Sequence, residues 1–467
     1  SVIFWDKGRR DMGRGIASRI IACVLVANVV DSIPIVQDGD TGKPLYLTPF
    51  LKDGRVIEAR EASRVPSMIE HEDVESYAGF LTVNEEFESN MFFWFFPAEN
   101  NRYIAPVVLW LQGGPGASSL YAIFNENGPF YITQDSKLER RDHSWSQDMN
   151  MIYIDNPVGV GFSYTNDDNG YVTDETDVGR DLYEALTQFF QLFPEYRRNG
   201  FFIAGESYAG KYIPALAHTI HENNSIADEK INLKGIAIGN GFVDPRNMMA
   251  YGEYLYQHGL TDDNLLNTMK IMEQNTVKFI DEKDFYNATK EFWKILAALH
   301  QTSGPIDQYD YLKAGVDDIS ENATSAYLNQ PVVRRSLHVG ELNYNNGDKV
   351  QNKLYEDVTK SVAPWLEELM DEYRVLLYNG QLDIICAYPL TINFVRKLKW
   401  SGADEYLKAP RKQWFVGEDL AGFTKTVGNF TEVLVRNAGH MVPADQPLWA
   451  LDLITRFTNN IPFDQPL

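Results

Sequence analysis

Short apolar runs alternate with amphipathic stretches along most of the chain, a pattern that predicts strands followed by helices. Residues 79–83 and 90–96 flank the polar Asn84-Glu85-Glu86 and read as a hairpin. Residues 106–111, 151–154 and 201–204 are continuous apolar runs, as in strands buried on both faces. Residues 174–193 put Val178, Leu182, Leu186 and Phe189 on one helical face, and residues 212–222 do the same with Ile213, Leu216, Ala217 and Ile220. Residues 235–239 return to a strand. The expected fold is α/β, with a doubly wound, mostly parallel sheet.

The alternation stops after Asn240-Gly241. Residues 244–364 are mostly helical and polar, which predicts an inserted, mainly helical cap. Strand patterns resume at 373–378 and 432–435, and a helix over 449–457 closes the chain. The expected organisation is a leader over 33–75, a first core part over 76–243, the cap over 244–364 and a second core part over 365–467. The leader is rich in turn residues, with Pro34, Pro44, Pro49 and Pro66, and reads as extended.

Composition narrows the class. The 467 residues are 44% hydrophobic and 13% aromatic, enough for a large core, and the net charge of -23 argues against a nucleic-acid partner. Residues 12–32 combine Arg14 and Arg19 with an apolar run from Ile20 to Val30, the layout of a secretory signal peptide. That run is too short to span a membrane. Residues 1–11 read as upstream sequence; an amphipathic helix of the mature chain is the alternative. Sequons at Asn223, Asn287, Asn322 and Asn429 fit glycosylation on the secretory route, to an extracellular or a lysosome-like or yolk compartment. The only cysteines are Cys23 and Cys386, and removal of a signal would leave one thiol.

Chemistry concentrates at Gly205-Glu206-Ser207-Tyr208-Ala209-Gly210. A strand ends here and a helix begins, with small residues around Ser207. That is the layout of the nucleophile elbow of α/β-hydrolases, in which the serine stands at a sharp turn before a helix N-terminus. A serine in an ordinary βα loop is the alternative. In such folds the acid and the histidine follow in chain order, each at a strand end. Asp383 follows the strand over 373–378, past Asn379-Gly380. His440, one of eight histidines, follows the strand over 432–435 in a Gly-containing turn. Ser207, Asp383 and His440 are therefore the expected catalytic triad.

Four stretches carry a specific resemblance. Trp110-Leu111-Gln112-Gly113-Gly114-Pro115-Gly116, the elbow, Asn379-Gly380-Gln381-Leu382-Asp383 and Ala438-Gly439-His440-Met441-Val442-Pro443 resemble the serine carboxypeptidase family. Asp155-Asn156-Pro157 and the residues after it match a further block, and Gln112 with Ala117-Ser118-Ser119-Leu120 looks most like the vitellogenic-type members. The resemblance implies a serine exopeptidase that releases C-terminal amino acids from peptides and proteins through an acyl-enzyme, best at acidic pH. It implies an oxyanion hole from the amides of Gly114 and Tyr208. It also implies a site for the substrate's terminal carboxylate at Gln112, Gly113, Glu126 and Glu206, where Gln112 replaces the family's usual Asn. Cys386 matches a thiol near the substrate pocket; an inert buried cysteine is the alternative. No metal, cofactor, nucleic acid or membrane span is expected, and a homodimer is admitted. An acyltransferase on the same fold, or a non-catalytic storage or binding protein, are the competing readings.

Overall fold

The computed structural model describes residues 39–69, 74–299, 306–314 and 319–465. The signal-like stretch 12–32, with the upstream stretch 1–11, lies outside them. The apolar runs form one sheet of eleven strands. These are β1 (Arg64–Val65), β2 (Ser76–Asn84), β3 (Ser89–Phe96), β4 (Val107–Leu111), β5 (Asn150–Ile154), β6 (Phe201–Glu206), β7 (Leu233–Gly239), β8 (Arg374–Gly380), β9 (Lys412–Val416), β10 (Asp419–Val427) and β11 (Phe430–Val435). Their spatial order is β1-β2-β3-β5-β4-β6-β7-β8-β11-β10-β9.

From β5 across to β11 every neighbouring pair is parallel. Antiparallel strands flank this centre on both sides. Strands β4, β5 and β6 are buried along their whole length. Their side chains alternate between two core layers: Val107, Leu109 and Leu111 face one, Val108 and Trp110 the other. The expected doubly wound, mostly parallel sheet is the observed one.

The helices that matter for the site are α1 (Thr48–Lys52), α2 (Val56–Ser63), α3 (Glu175–Leu192), α4 (Ala209–Asn224), α5 (Asp263–Asp281), α6 (Phe285–Leu299), α7 (Ala363–Glu372) and α8 (Pro447–Asn459). Apolar residues of α3, α4 and α7 fill one core layer, and those of α8 fill the other. Asp174 starts α3 by accepting hydrogen bonds from the Thr176 and Asp177 amides at 3.0 and 3.1 Å.

The leader differs from its expected extended form. It carries α1 and α2, with Leu47 and Ala59 fully buried, and Thr48 Oγ1 donates to Gln188 Oε1 of α3 at 2.6 Å. Pro49 does not break α1, because it occupies the first turn, where no intrahelical donor is required. Residues 244–364 contain α5, α6 and shorter helices. Two buried contacts tie this segment together and to α4: Thr289 with Thr359 at 3.1 Å, and Lys211 Nζ with Asp357 Oδ2 at 2.6 Å. Among the described residues no helix is long and apolar enough to cross a membrane.

Candidate active site

Ser207 sits between the end of β6 and the start of α4 with φ of +63°. A non-glycine residue rarely adopts this left-handed conformation, so the neighbours must hold it there. They do so by close approach. The Ser207 N–H donates to Gly239 O at 3.0 Å, and Ser207 O accepts from Phe242 N at 2.9 Å. A Cβ on Gly205 would lie 2.1 Å from Leu111 O, and one on Gly113 would lie 2.5 Å from Tyr208 N. Ala209 fits because it opens α4 at a buried position, where one methyl group is tolerated.

Asp383 and His440 follow β8 and β11, at the same edge of the sheet as Ser207. His440 Nδ1 and Asp383 Oδ2 are 2.9 Å apart, both residues buried. Asp383 Oδ2 also accepts from Asn240 Nδ2 at 2.7 Å and Cys386 N at 3.1 Å, while Oδ1 accepts from Ile385 N at 2.9 Å. This set of donors stabilises a buried carboxylate and aims it at the imidazole. His440 Nε2 is buried and meets no hydrogen-bond partner among the described residues. Catalytic hydrogen bonds often tighten only when substrate binds.

Three positioning residues escaped sequence reasoning. Asn240, at the end of β7, donates to Asp383 and accepts from Gly380 N at 3.0 Å. Its φ is +41°, and the Asn240-Gly241 pair at a strand end was the available signal. Tyr254 donates its hydroxyl to Asp383 O at 3.1 Å. The Tyr309 carbonyl oxygen accepts from the backbone N–H of His440 at 2.7 Å, and the Tyr309 ring centre lies 5.0 Å from that of the imidazole. Both tyrosines come from residues 244–364, where no sequence pattern marks them.

The two glutamates converge on Gln112. Gln112 Nε2 donates to Glu206 Oε1 at 2.8 Å and Glu126 Oε1 at 3.1 Å, and Gln112 Oε1 accepts from Trp110 Nε1 at 2.9 Å. Both N–H bonds of the Gln112 amide are thus engaged. Glu126 and Glu206 are almost completely buried. Burial pushes the Glu126 carboxyl up to about 7, against the pull of hydrogen bonds from Glu206 and Gln112. Burial, and then the charge of Glu126, raise Glu206 well above the carboxylate range. A buried pair of this kind holds protons at acidic pH and can donate hydrogen bonds there.

A cavity of about 540 Å³ opens beside Ser207. Tyr208, Phe242, Phe292, Trp293, Leu296 and Cys386 line much of it, together with Gly114. Burial raises the Cys386 thiol well above its ordinary value, with the charge of Asp383 adding to the effect, which disfavours the thiolate. Within the described residues, no hydrogen bond uses the Gly113, Gly114 or Tyr208 amide. A larger cavity of about 1120 Å³ lies at the opposite edge of the sheet, by Arg374 and Asn429, and contains none of the triad. Of the sequon asparagines, Asn322 and Asn429 are exposed, whereas Asn223 and Asn287 are half-buried within helices and hydrogen-bonded there.

Comparison with known proteins agrees with this geometry. Residues 66–460 match the family model described as serine carboxypeptidase. The venom serine carboxypeptidase of Apis mellifera is 50% identical over 439 residues, 91% of this chain and 93% of the bee protein. The vitellogenic carboxypeptidase of Aedes aegypti is 46% identical over 438 residues, 91% of each chain. Among solved structures, Kex1(delta)p, a prohormone-processing carboxypeptidase from Saccharomyces cerevisiae, superposes with a TM-score of 0.76 at 26% identity, covering 86% of this chain and 96% of its own.

Proposed function

Because the chain belongs to the serine carboxypeptidase family, we propose that Ser207, His440 and Asp383 release the last residue of a peptide through an acyl-enzyme. The observation that carries this reading is the meeting of a His–Asp pair, a serine in a left-handed turn and two buried glutamates joined through Gln112 at one edge of the sheet. Ser207 Oγ attacks the carbonyl of the last peptide bond while His440 Nε2 takes its proton. The amides of Gly114 and Tyr208 donate to the oxyanion. The C–N bond breaks as His440 returns the proton to the leaving nitrogen. Water then attacks the ester by the same route and frees Ser207. Asp383 holds the imidazole in its working tautomer throughout.

The substrate's terminal carboxylate accepts from Gly113 N–H and from the protonated Glu126–Glu206 pair. Gln112 acts through these carboxyls, since both its N–H bonds already serve them. This arrangement favours acidic conditions, in keeping with a secretory route to an extracellular, lysosome-like or yolk compartment. The cavity lined by Phe292 and Leu296 takes the side chain before the scissile bond. A fluorophosphonate probe tests the nucleophile: we expect its adduct on Ser207, absent from Ser207→Ala. An adduct elsewhere, or none on the folded enzyme, overturns the assignment.

A further inference from the structure

Away from the triad, α4 and α7 bring two histidines and two glutamates together on one surface. His218 and Glu222 are four residues apart on α4, so they share a face, and His221 is adjacent. Glu368 reaches across from α7. One ligand atom each from His218, Glu222 and Glu368 lie within 4.8 Å of one another. His218 Nδ1 lies 3.0 Å from Glu368 Oε2, and His221 Nε2 lies 3.8 Å from Glu368 Oε1.

Two further observations point to a cation rather than to a simple ion pair. His218 Nδ1 is shielded from solvent yet makes no hydrogen bond, despite its approach to Glu368. The nitrogen and the carboxylate oxygen stand side by side without a well-formed hydrogen bond between them. The second is the support behind the rings. Tyr373 hydroxyl pairs with His221 Nδ1 at 3.0 Å, which leaves Nε2 facing Glu368. Trp365 stacks on the His218 ring at 5.4 Å between centres. Outer contacts of this kind orient histidines that bind metals.

We propose that His218, Glu222 and Glu368, with His221 as a fourth ligand, form a binding site for a borderline divalent cation such as Zn²⁺. Imidazole nitrogens with carboxylate oxygens suit zinc, at metal–ligand distances of about 2.0–2.2 Å. The ligand atoms must draw closer than their present spacing, and exposed Glu222 and half-exposed Glu368 have the freedom to do so. The site lies eleven residues along the chain from Ser207, roughly 15 Å down α4 at 1.5 Å per residue. It therefore bridges α4 to α7 without entering the catalytic machinery.

The test is a calorimetric titration of the full chain with zinc chloride at pH 7.5, after removal of bound metal with a chelator. We expect one Zn²⁺ per chain with Kd on the order of a micromolar. His218→Ala and Glu368→Gln should each weaken it by at least about tenfold, while His440→Ala should leave it unchanged. Substitution by Co²⁺ should give visible absorption that His218→Ala removes. Absence of saturable uptake, uptake unchanged in the double variant His218→Ala/Glu368→Gln, or uptake lost in His440→Ala each overturns the proposal.

Discussion

Each residue at the site is set by what surrounds it rather than by its type alone. Glu126 and Glu206 would repel a substrate carboxylate on a surface; buried together, their raised carboxyls favour the protonated form, which under the proposed function donates to it. The direction of the pH effect follows. Below about 7 the pair donates hydrogen bonds; as pH rises through the raised value of Glu126, a donor becomes a repelling charge. We predict that KM for peptides with a free C-terminus climbs between about pH 6 and 8, and that Glu126→Gln flattens the climb. Steady-state kinetics across that range provide the check; a KM independent of pH in the unmodified enzyme would exclude the pair as the carboxylate site. Asn240 supports a second residue-scale prediction. Asn240→Ala removes one of the donors to buried Asp383 and leaves the Gly380 amide without its partner. An unsatisfied buried polar group costs about 1–3 kcal/mol, so kcat should fall roughly 10- to 100-fold. An unchanged kcat would show that the remaining donors suffice.

At the scale of elements, periodicity made the central strands and α3 and α4 legible, because each buries a regular apolar face. Chain order and strand ends then singled out Ser207, Asp383 and His440 as the candidates, and the structure brings the last two within 2.9 Å. The leader helices were not legible, since α1 and α2 are too short to show a period and Pro49 looked like a break. Tyr254 and Tyr309 were hidden for another reason: they reach the triad from residues 244–364, through contacts that only the folded chain creates. The loops that carry the acid and the histidine must also pass very close. A Cβ on Gly380 would lie 1.8 Å from Gly439 O and 2.6 Å from Ala438 O. Gly380→Ala should push the Asp383 loop away from the His440 loop. We expect a lower melting temperature and at least a tenfold loss of kcat, because about 1 Å of misplacement is enough to cost that much. A variant with both quantities unchanged would mean that the loops can separate freely.

Across the whole molecule, several buried carboxyls retain protons that the unfolded chain would release. Burial pushes Glu126 and Asp155 up to about 7, and raises Glu206 and Glu175 well above the ordinary range. In the unfolded chain such groups titrate near ~4. Between about pH 4 and 7 the native state therefore binds more protons than the unfolded state, and stability falls as pH rises. The net charge of -23 adds repulsion in the same direction. The melting temperature should be higher at pH 5 than at pH 8; the reverse order would mean that these carboxyls are ionised in the folded enzyme. The central claim, that one edge of this sheet removes C-terminal residues using Ser207, is tested most directly by mass spectrometry of a peptide incubated with the enzyme at acidic pH. The account predicts loss of the C-terminal residue first, no cleavage of the same peptide with an amidated C-terminus under these conditions, and a loss of rate on the order of a millionfold in Ser207→Ala. Internal cleavage, equal cleavage of the amidated peptide, or full activity in Ser207→Ala would contradict it.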